Sequence, residues 1–249
     1  MGTLIATRLA WLRGDSPNRK GIDYSETFSP VVKPTTVRLV LTIVVSKGWQ
    51  IRQLDVHNAF LHGSLCEVVY MQQPPDFVNT ALPTHVCRLH KSLYGLKQAP
   101  RAWYMRLYDF LMTIGFRASK VDTSLFILNR SHDTCYLLVY VDDILITGNN
   151  SVLIHRLINL LSTKFKLRVL GHASYFLWIE VAPTSMGLVL SQHKYVLDIL
   201  NRAGMTSCKP VDTPSSVSKL DLQSTVLFSD TTRFRQIMGA LQYLTFTRP

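Results

Sequence analysis

The sequence predicts an α+β fold, helices packed on an antiparallel sheet, and three observations carry that prediction. Apolar runs of strand length, "SLFILNR", "CYLLVYV" and "ILITG", follow one another across short polar breaks, the pattern of an antiparallel meander. Between such runs lie stretches with apolar residues at one-face helical spacing: Trp103, Leu107, Phe110, Leu111 and Ile114 in one, Leu153, Leu157, Leu160, Leu161 and Phe165 in another. The 249 residues, 47% hydrophobic and 17% charged, suffice for a sizeable core in one large domain or two small ones.

Taken in order, a buried helix is predicted from about Thr36 to Lys47, capped by Thr35 or Thr36 and ended by Gly48. "QIRQLDVHNAF" reads as a strand whose end delivers Asp55, and "VVYMQQPPDF" as a short strand stopped by Pro74 and Pro75. A helix from about Pro100 to Gly115 begins with a proline suited to the first turn. After the meander, Asn150 or Ser151 starts a helix from about Val152 to Lys166. "SYFLWIEVAPTSMGLVLSQ" reads as one hairpin turning around Pro183 to Gly187. Helices from about Lys194 to Ala203 and Thr232 to Thr245 flank a polar, proline-containing linker from Cys208 to Asp230.

The net charge of +11 points to a polyanionic partner such as nucleic acid. Seven basic residues (Arg88, Lys91, Lys97, Arg101, Arg106, Arg117, Lys120) and one acid, Asp109, lie between positions 88 and 120. Tyr94, Trp103, Tyr104 and Tyr108 are interleaved with them, a mix that favours a groove tracking a nucleic-acid backbone. Cys66, Cys87, Cys135 and Cys208 are scattered without a CxxC, which suits a reducing compartment. His62, Cys66, Cys87 and His90 have zinc-like spacings, but ordinary half-buried cysteines and histidines account for them. No apolar run approaches a membrane span and residues 1 to 15 lack the form of a signal peptide. The expectation is a soluble, intracellular protein, cytoplasmic or nuclear.

The chemistry is expected at Asp142 and Asp143, two adjacent carboxylates between two strand-like apolar runs, together with Asp55, 87 positions earlier at another strand end. If the strand carrying Asp55 lies beside the hairpin of residues 136 to 148, three carboxylates converge at one edge. Such a cluster repels itself unless cations neutralise it, and all-oxygen donors select hard ions such as Mg²⁺ or Mn²⁺. Two such ions about 3.5 to 4 Å apart can clamp the attacking and leaving oxygens of a phosphoryl displacement.

The motifs "GIDYSETFSPVVKPTTVR", "QLDVHNAFLHG", "VYMQQPPDFV", "CRLHKSLYGLKQAPRAWY", "YLLVYVDDILITG", "SQHKYVLDIL" and "PVDTP", in that order from Gly21 to about Pro214, resemble the reverse transcriptases of plant copia-type LTR retrotransposons. The resemblance implies a right-hand polymerase palm and RNA-directed DNA polymerase activity on a template-primer and deoxynucleotides. In its terms Asp55 and Asp142 would bind both metal ions, with Asp143 the supporting third carboxylate and Tyr140 and Val141 completing the YVDD turn. Phe60 falls where the family places an aromatic gate against a 2′-hydroxyl; a core phenylalanine is the plain alternative. Tyr94 and Gly95 occupy the block that meets the incoming nucleotide and template base, or form a simple turn before a helix. Lys97 and Arg101 would meet phosphates, or form a solvated helix start. "YFLWIEV" matches the primer-grip region.

The sequence departs from that pattern in places. Residues 1 to 20 replace a basic segment ahead of "GIDY", and none of Arg8, Arg13, Arg19 or Lys20 has the matching spacing. Trp178 stands where the family has glycine in "FLGIE", and Asp76 replaces another usual glycine. The expected organisation is a divergent segment over 1–20, a fingers, palm and thumb-like core over 21–212, and over 213–249 a linker with the start of a further segment. RNase H, protease and integrase parts are not in the sequence, so it reads as a fragment of a longer Pol polyprotein. The alternative to a working polymerase is a non-catalytic remnant that binds nucleic acid.

Overall fold

The computed structural model describes residues 21, 24–211 and 230–248. The whole of the predicted divergent segment, most of the linker and part of the "GIDY" and "PVDTP" motifs lie outside them. Two compact units divide after Ala173.

The first unit begins with helix α1 (Pro34–Lys47), ended by Gly48 at φ 63°, a left-handed cap that glycine adopts without cost. The predicted threonine cap is not how this helix starts. Lys33 is the N-cap residue, and its side chain makes no capping bond. The cap is supplied by Asp122, 86 residues beyond Thr36, whose Oδ2 accepts from the Lys33 N–H at 2.9 Å and from Thr36 Oγ1 at 2.6 Å. Nor is α1 buried all round: Val37, Val40, Leu41 and Val44 are inside, whereas Leu39 is 57% exposed.

Asp122 is itself only 5% exposed. Burial works to raise its pKa, but hydrogen bonds from Thr36, the Lys33 N–H and Ser124 outweigh it and hold the carboxyl below the usual aspartate range. With a folded-state pKa below the unfolded one, its stabilisation is present above the unfolded value and is lost as pH falls through the folded one. We expect Asp122→Ala to cost about 2 kcal/mol at pH 7, since it orphans buried donors, and to cost less under acid conditions; equal losses of thermal midpoint at pH 7 and in acid would contradict this role.

Strand β1 (Gln50–Val56) leads through a 3-10 turn (Ala59–His62) to β2 (Ser64–Gln72) and β3 (Val86–Lys91), which pair as a two-stranded ribbon. Helix α2 (Ala99–Thr113) precedes β4 (Arg117–Ala118), β5 (Leu125–Arg130), β6 (Asp133–Tyr140) and β7 (Asp143–Gly148). The Asn150 side chain accepts from the Leu153 N–H at 3.1 Å and caps α3 (Ser151–Lys164), and β8 (Leu167–His172) closes the unit. The six-stranded sheet has the order β4-β5-β6-β7-β1-β8, antiparallel throughout.

Trp103, Leu107 and Leu111 of α2 and Ile154, Leu157 and Leu161 of α3 share one core with Leu54, Leu128, Leu137, Ile144 and Ile146 of the sheet. Because side chains alternate along a strand, residues 53 and 55 of β1 and 143 and 145 of β7 look out from the opposite face. That alternation decides where the carboxylates go. Of the aromatics interleaved with the basic residues, Trp103 is wholly buried and lines no groove, and the Tyr104 hydroxyl donates to the Thr123 carbonyl.

In the second unit, β9 (Tyr175–Phe176), β10 (Ile179–Thr184) and β11 (Gly187–Ser191) form a three-stranded meander, not the single predicted hairpin. The extra turn, Leu177–Trp178, carries no glycine, asparagine or proline and so left no turn signal. Pro183 lies within β10, opposite Leu188, and not in the turn. Helix α4 (His193–Ala203) ends at Gly204, φ 71°, and α5 (Thr231–Tyr243) is capped by the Asp230 carboxylate, which accepts from the Arg233 N–H at 2.9 Å. Tyr195, Ile199 and Ala240 pack these two helices together. Among the described residues no helix is long and apolar enough to cross a membrane.

Candidate catalytic carboxylate site

Strand β1 lies directly beside β7, and in their antiparallel register Asp55 stands opposite Asp143. Directly opposed residues share a face, with Cβ atoms about 5 Å apart. Tyr140 pairs with Asp143 across β6 and β7, so Val141 and Asp142 form the two-residue turn between these strands. The same face continues to β8, where Arg168 stands opposite Asp55. Tyr140, Asp143, Asp55 and Arg168 therefore form a row across four strands, with Asp142 at the adjoining turn.

The turn is held in an unusual conformation. Val141 has φ 53°, an outlier for a β-branched residue that persists only where surroundings over-determine it. Two bonds do so here. The Val56 N–H donates to the Asp142 carbonyl at 2.8 Å, and the Trp103 indole Nε1–H donates to the Val141 carbonyl at 2.6 Å. Trp103 reaches the turn from the helix face and is braced edge-on by Phe165 at 5.2 Å.

Burial pushes the Asp143 carboxyl up to about 6; a hydrogen bond from Gln53 opposes the rise, while the charges of Asp142 and Asp55 add to it. That bond is long, 3.4 Å from Gln53 Nε2 to Asp143 Oδ1, and Gln53 is itself buried. Mutual repulsion among three carboxylates is thus built into the face. Among the described residues no group of three or more His, Cys, Asp or Glu side chains is gathered closely enough to hold a metal ion; what the fold supplies is the face shared by Asp55 and Asp143, with Asp142 at the adjoining turn. The same holds for His62, Cys66, Cys87 and His90, which form no such group. His62 instead lies against Trp103 and Phe165, at 5.8 and 5.7 Å, and its burial lowers its pKa.

The other expected residues fall around the 3-10 turn and the start of α2. Phe60 and Tyr94 meet ring to ring at 4.7 Å, Phe60 half-buried and Tyr94 41% exposed. Ser92 Oγ donates to the Phe60 carbonyl and ties the two loops together. Gly95 has φ 97°, where a side chain would strain the backbone. Lys97 Nζ lies 5.8 Å from the centre of the Tyr24 ring. Arg101 is engaged by Glu26 at 2.8 Å.

Trp103 and Arg168 join the site without having been singled out for it. In the sequence Trp103 reads as an apolar helix position and as one of the aromatics of a nucleic-acid groove; its indole N–H gives the only hint of this role, since a buried Trp needs an acceptor. Arg168 depends on strand register, including a shift between Gln53 and Leu54, which no local pattern encodes.

Comparison with known sequences gives the class: residues 13–217 match the family Reverse transcriptase (RNA-dependent DNA polymerase), to which the chain belongs. It is 53% identical over 232 residues to the Retrovirus-related Pol polyproteins from transposons RE1 and RE2 of Arabidopsis thaliana, covering 93% of this chain and 16% of each relative. It is 43% identical over 199 residues to the Retrovirus-related Pol polyprotein from transposon TNT 1-94 of Nicotiana tabacum, covering 79% of this chain and 15% of that protein. The resemblance to copia-type retrotransposon sequences stands on these matches. The chain spans about a sixth of the length of these relatives. No solved structure matches it.

Proposed function

We propose that this chain is the palm-bearing part of a copia-type reverse transcriptase, adding deoxynucleotides to a primer 3′-hydroxyl as directed by an RNA or DNA template. The observation that carries the reading is the register that sets Asp55 opposite Asp143, with Asp142 in the adjoining strained turn. Neighbouring carboxylates fit hard divalent cations by the chemistry of their oxygen donors. Asp55 and Asp142 would hold two ions, Mg²⁺ or Mn²⁺, and Asp143 would support them. Bound there, the ions would supply the Lewis acidity that favours the 3′-alkoxide and offsets charge on the departing pyrophosphate.

The protein's own part is positioning. Gln53 restrains Asp143 through its amide, and Val56 and Trp103 hold the turn that carries Asp142. The Phe60 and Tyr94 ring pair offers a wall against the sugar, with Phe60 discriminating against a 2′-hydroxyl and Tyr94 and Gly95 meeting the nucleotide. Lys97 and Arg101 serve phosphates; for Arg101 this requires exchanging the Glu26 carboxylate for a phosphate oxygen.

The test is primer extension by the purified chain on an RNA template with Mg²⁺ or Mn²⁺, beside the same reaction with a chelator. Extension that disappears on chelation supports the reading. Binding of the template-primer without extension in either metal would overturn it in favour of a non-catalytic nucleic-acid-binding module.

A further inference from the structure

We infer that His62 is a positioning residue for the proposed reaction, bracing both groups that hold the carboxylate turn. The inference rests on the catalytic reading above and adds to it a side chain that touches none of the reacting atoms. Two bonds hold the turn: the Trp103 indole donates to the Val141 carbonyl at 2.6 Å, and the Val56 N–H donates to the Asp142 carbonyl at 2.8 Å. His62 reaches both holders. Its ring lies 5.8 Å from that of Trp103, and its imidazole hydrogen-bonds the backbone of His57, the residue next to Val56. Val141 has a left-handed φ of 53°, which a β-branched residue keeps only while its surroundings enforce it. The turn therefore relaxes once either holder slackens.

The imidazole is itself fixed by several elements. Phe165, at the end of α3, meets it edge-on at 5.7 Å and meets Trp103 edge-on at 5.2 Å, so the three rings close a triangle in the orientation aromatic pairs prefer. The His57 N–H donates to the Lys166 carbonyl at 2.8 Å, tying the residue that His62 bonds to the one after Phe165. Gly63 presses the end of the 3-10 turn onto α2: a Cβ there would lie 2.9 Å from the Trp103 backbone nitrogen. Burial, with the charges of Lys91, Arg106 and His57, lowers the pKa of His62. The ring thus packs uncharged near neutral pH while keeping the His57 bond, which a phenylalanine in its place could not make.

Phe60, two residues earlier in the same 3-10 turn, faces Tyr94 instead, and Ser92 Oγ holds its carbonyl. Loss of the His62 ring therefore disturbs the carboxylate turn and leaves the Phe60 and Tyr94 wall in place. Its effect falls on kcat and not on the nucleotide KM.

The experiment compares the wild type, His62→Ala, His62→Phe and, as a control for general destabilisation, the core truncation Ile154→Val, all well below their melting midpoints. It reads kcat and nucleotide KM in primer extension. In the metal-free proteins it also reads hydrogen exchange of the Trp103 indole N–H by NMR, the resonance being identified by its loss in Trp103→Phe. Expected for His62→Ala is a loss of roughly tenfold or more in kcat, with KM moved by less than about twofold and faster indole exchange. His62→Phe, which keeps a ring against Trp103, should recover part of both, and Ile154→Val should match the wild type. Undiminished kcat in folded His62→Ala, an equal loss in Ile154→Val, or a raised KM with kcat unchanged would overturn the positioning role and leave the catalytic reading standing. Absence of extension by the wild type would overturn that reading, and the exchange measurement would then judge the brace alone: indole exchange unchanged by His62→Ala overturns it, faster exchange sustains it.

Discussion

Replacing both turn carboxylates, Asp142→Asn with Asp143→Asn, is expected to lower metal-dependent primer extension by at least about 10³-fold, the scale of losing several kcal/mol of charge stabilisation, without unfolding the protein. The stability half follows from Asp143. Its folded-state pKa is raised to about 6, above the unfolded value, so the folded chain holds a proton that the unfolded chain releases. Stability therefore falls as pH rises from about 4 to about 6, and the penalty is fully present above that window. An asparagine keeps an acceptor for Gln53 and carries no charge. The substituted protein should melt higher than the wild type at pH 7.5 in chelator, with the difference gone near pH 4. Added Mg²⁺ should raise the wild-type midpoint and leave the variant where it is. Undiminished extension by the variant, or a lower midpoint at pH 7.5, would remove these residues from the proposed mechanism.

The second large effect is expected at Gly148, the last residue of β7, far from the carboxylates along the same strand. It pairs with Cys135 on one side and Gln50 on the other. A Cβ there would lie 2.4 Å from the Thr134 carbonyl oxygen and 3.1 Å from Cys135 Cα. These are backbone atoms in the middle of the sheet, which yield only if the strands part. Gly148→Ala should cost about 3 kcal/mol, at the upper end for overpacking, lowering the melting midpoint by roughly 6 to 12 °C. Extension should fall with it, because β7 carries Asp143. Gly239→Ala is the matching control: this glycine is inside α5 with nothing within 4 Å of the added Cβ, and alanine there should stabilise by roughly 0.5 to 1 kcal/mol. Calorimetry showing similar midpoints for the two variants would refute the packing argument.

Much of the fold was legible because its signals are local. The meander of β5, β6 and β7, the spans of α2 and α3, the Asn150 cap and the glycine stops at Gly48 and Gly204 all follow from periodicity and from residues that act on their own neighbours in the chain. The short strand β8 and the β9 to β10 turn escaped notice for the complementary reason. β8 is an edge strand with little apolar alternation, and the turn is held by Tyr243 from 66 residues away.

The same division runs through the candidate site. The sequence by itself determined that three acidic residues sit at strand ends in apolar surroundings, and its motifs determined the family. Tertiary structure decided what those residues meet, because register and helix docking are long-range events whose partners no local pattern names. It placed Asp55 opposite Asp143, brought Arg168 alongside, sent the Trp103 indole through the core to hold the Val141 carbonyl, and turned the α1 cap over to Asp122. For the Trp103 indole and the α1 cap, a buried polar group had to be satisfied by whatever the packed chain brought within reach.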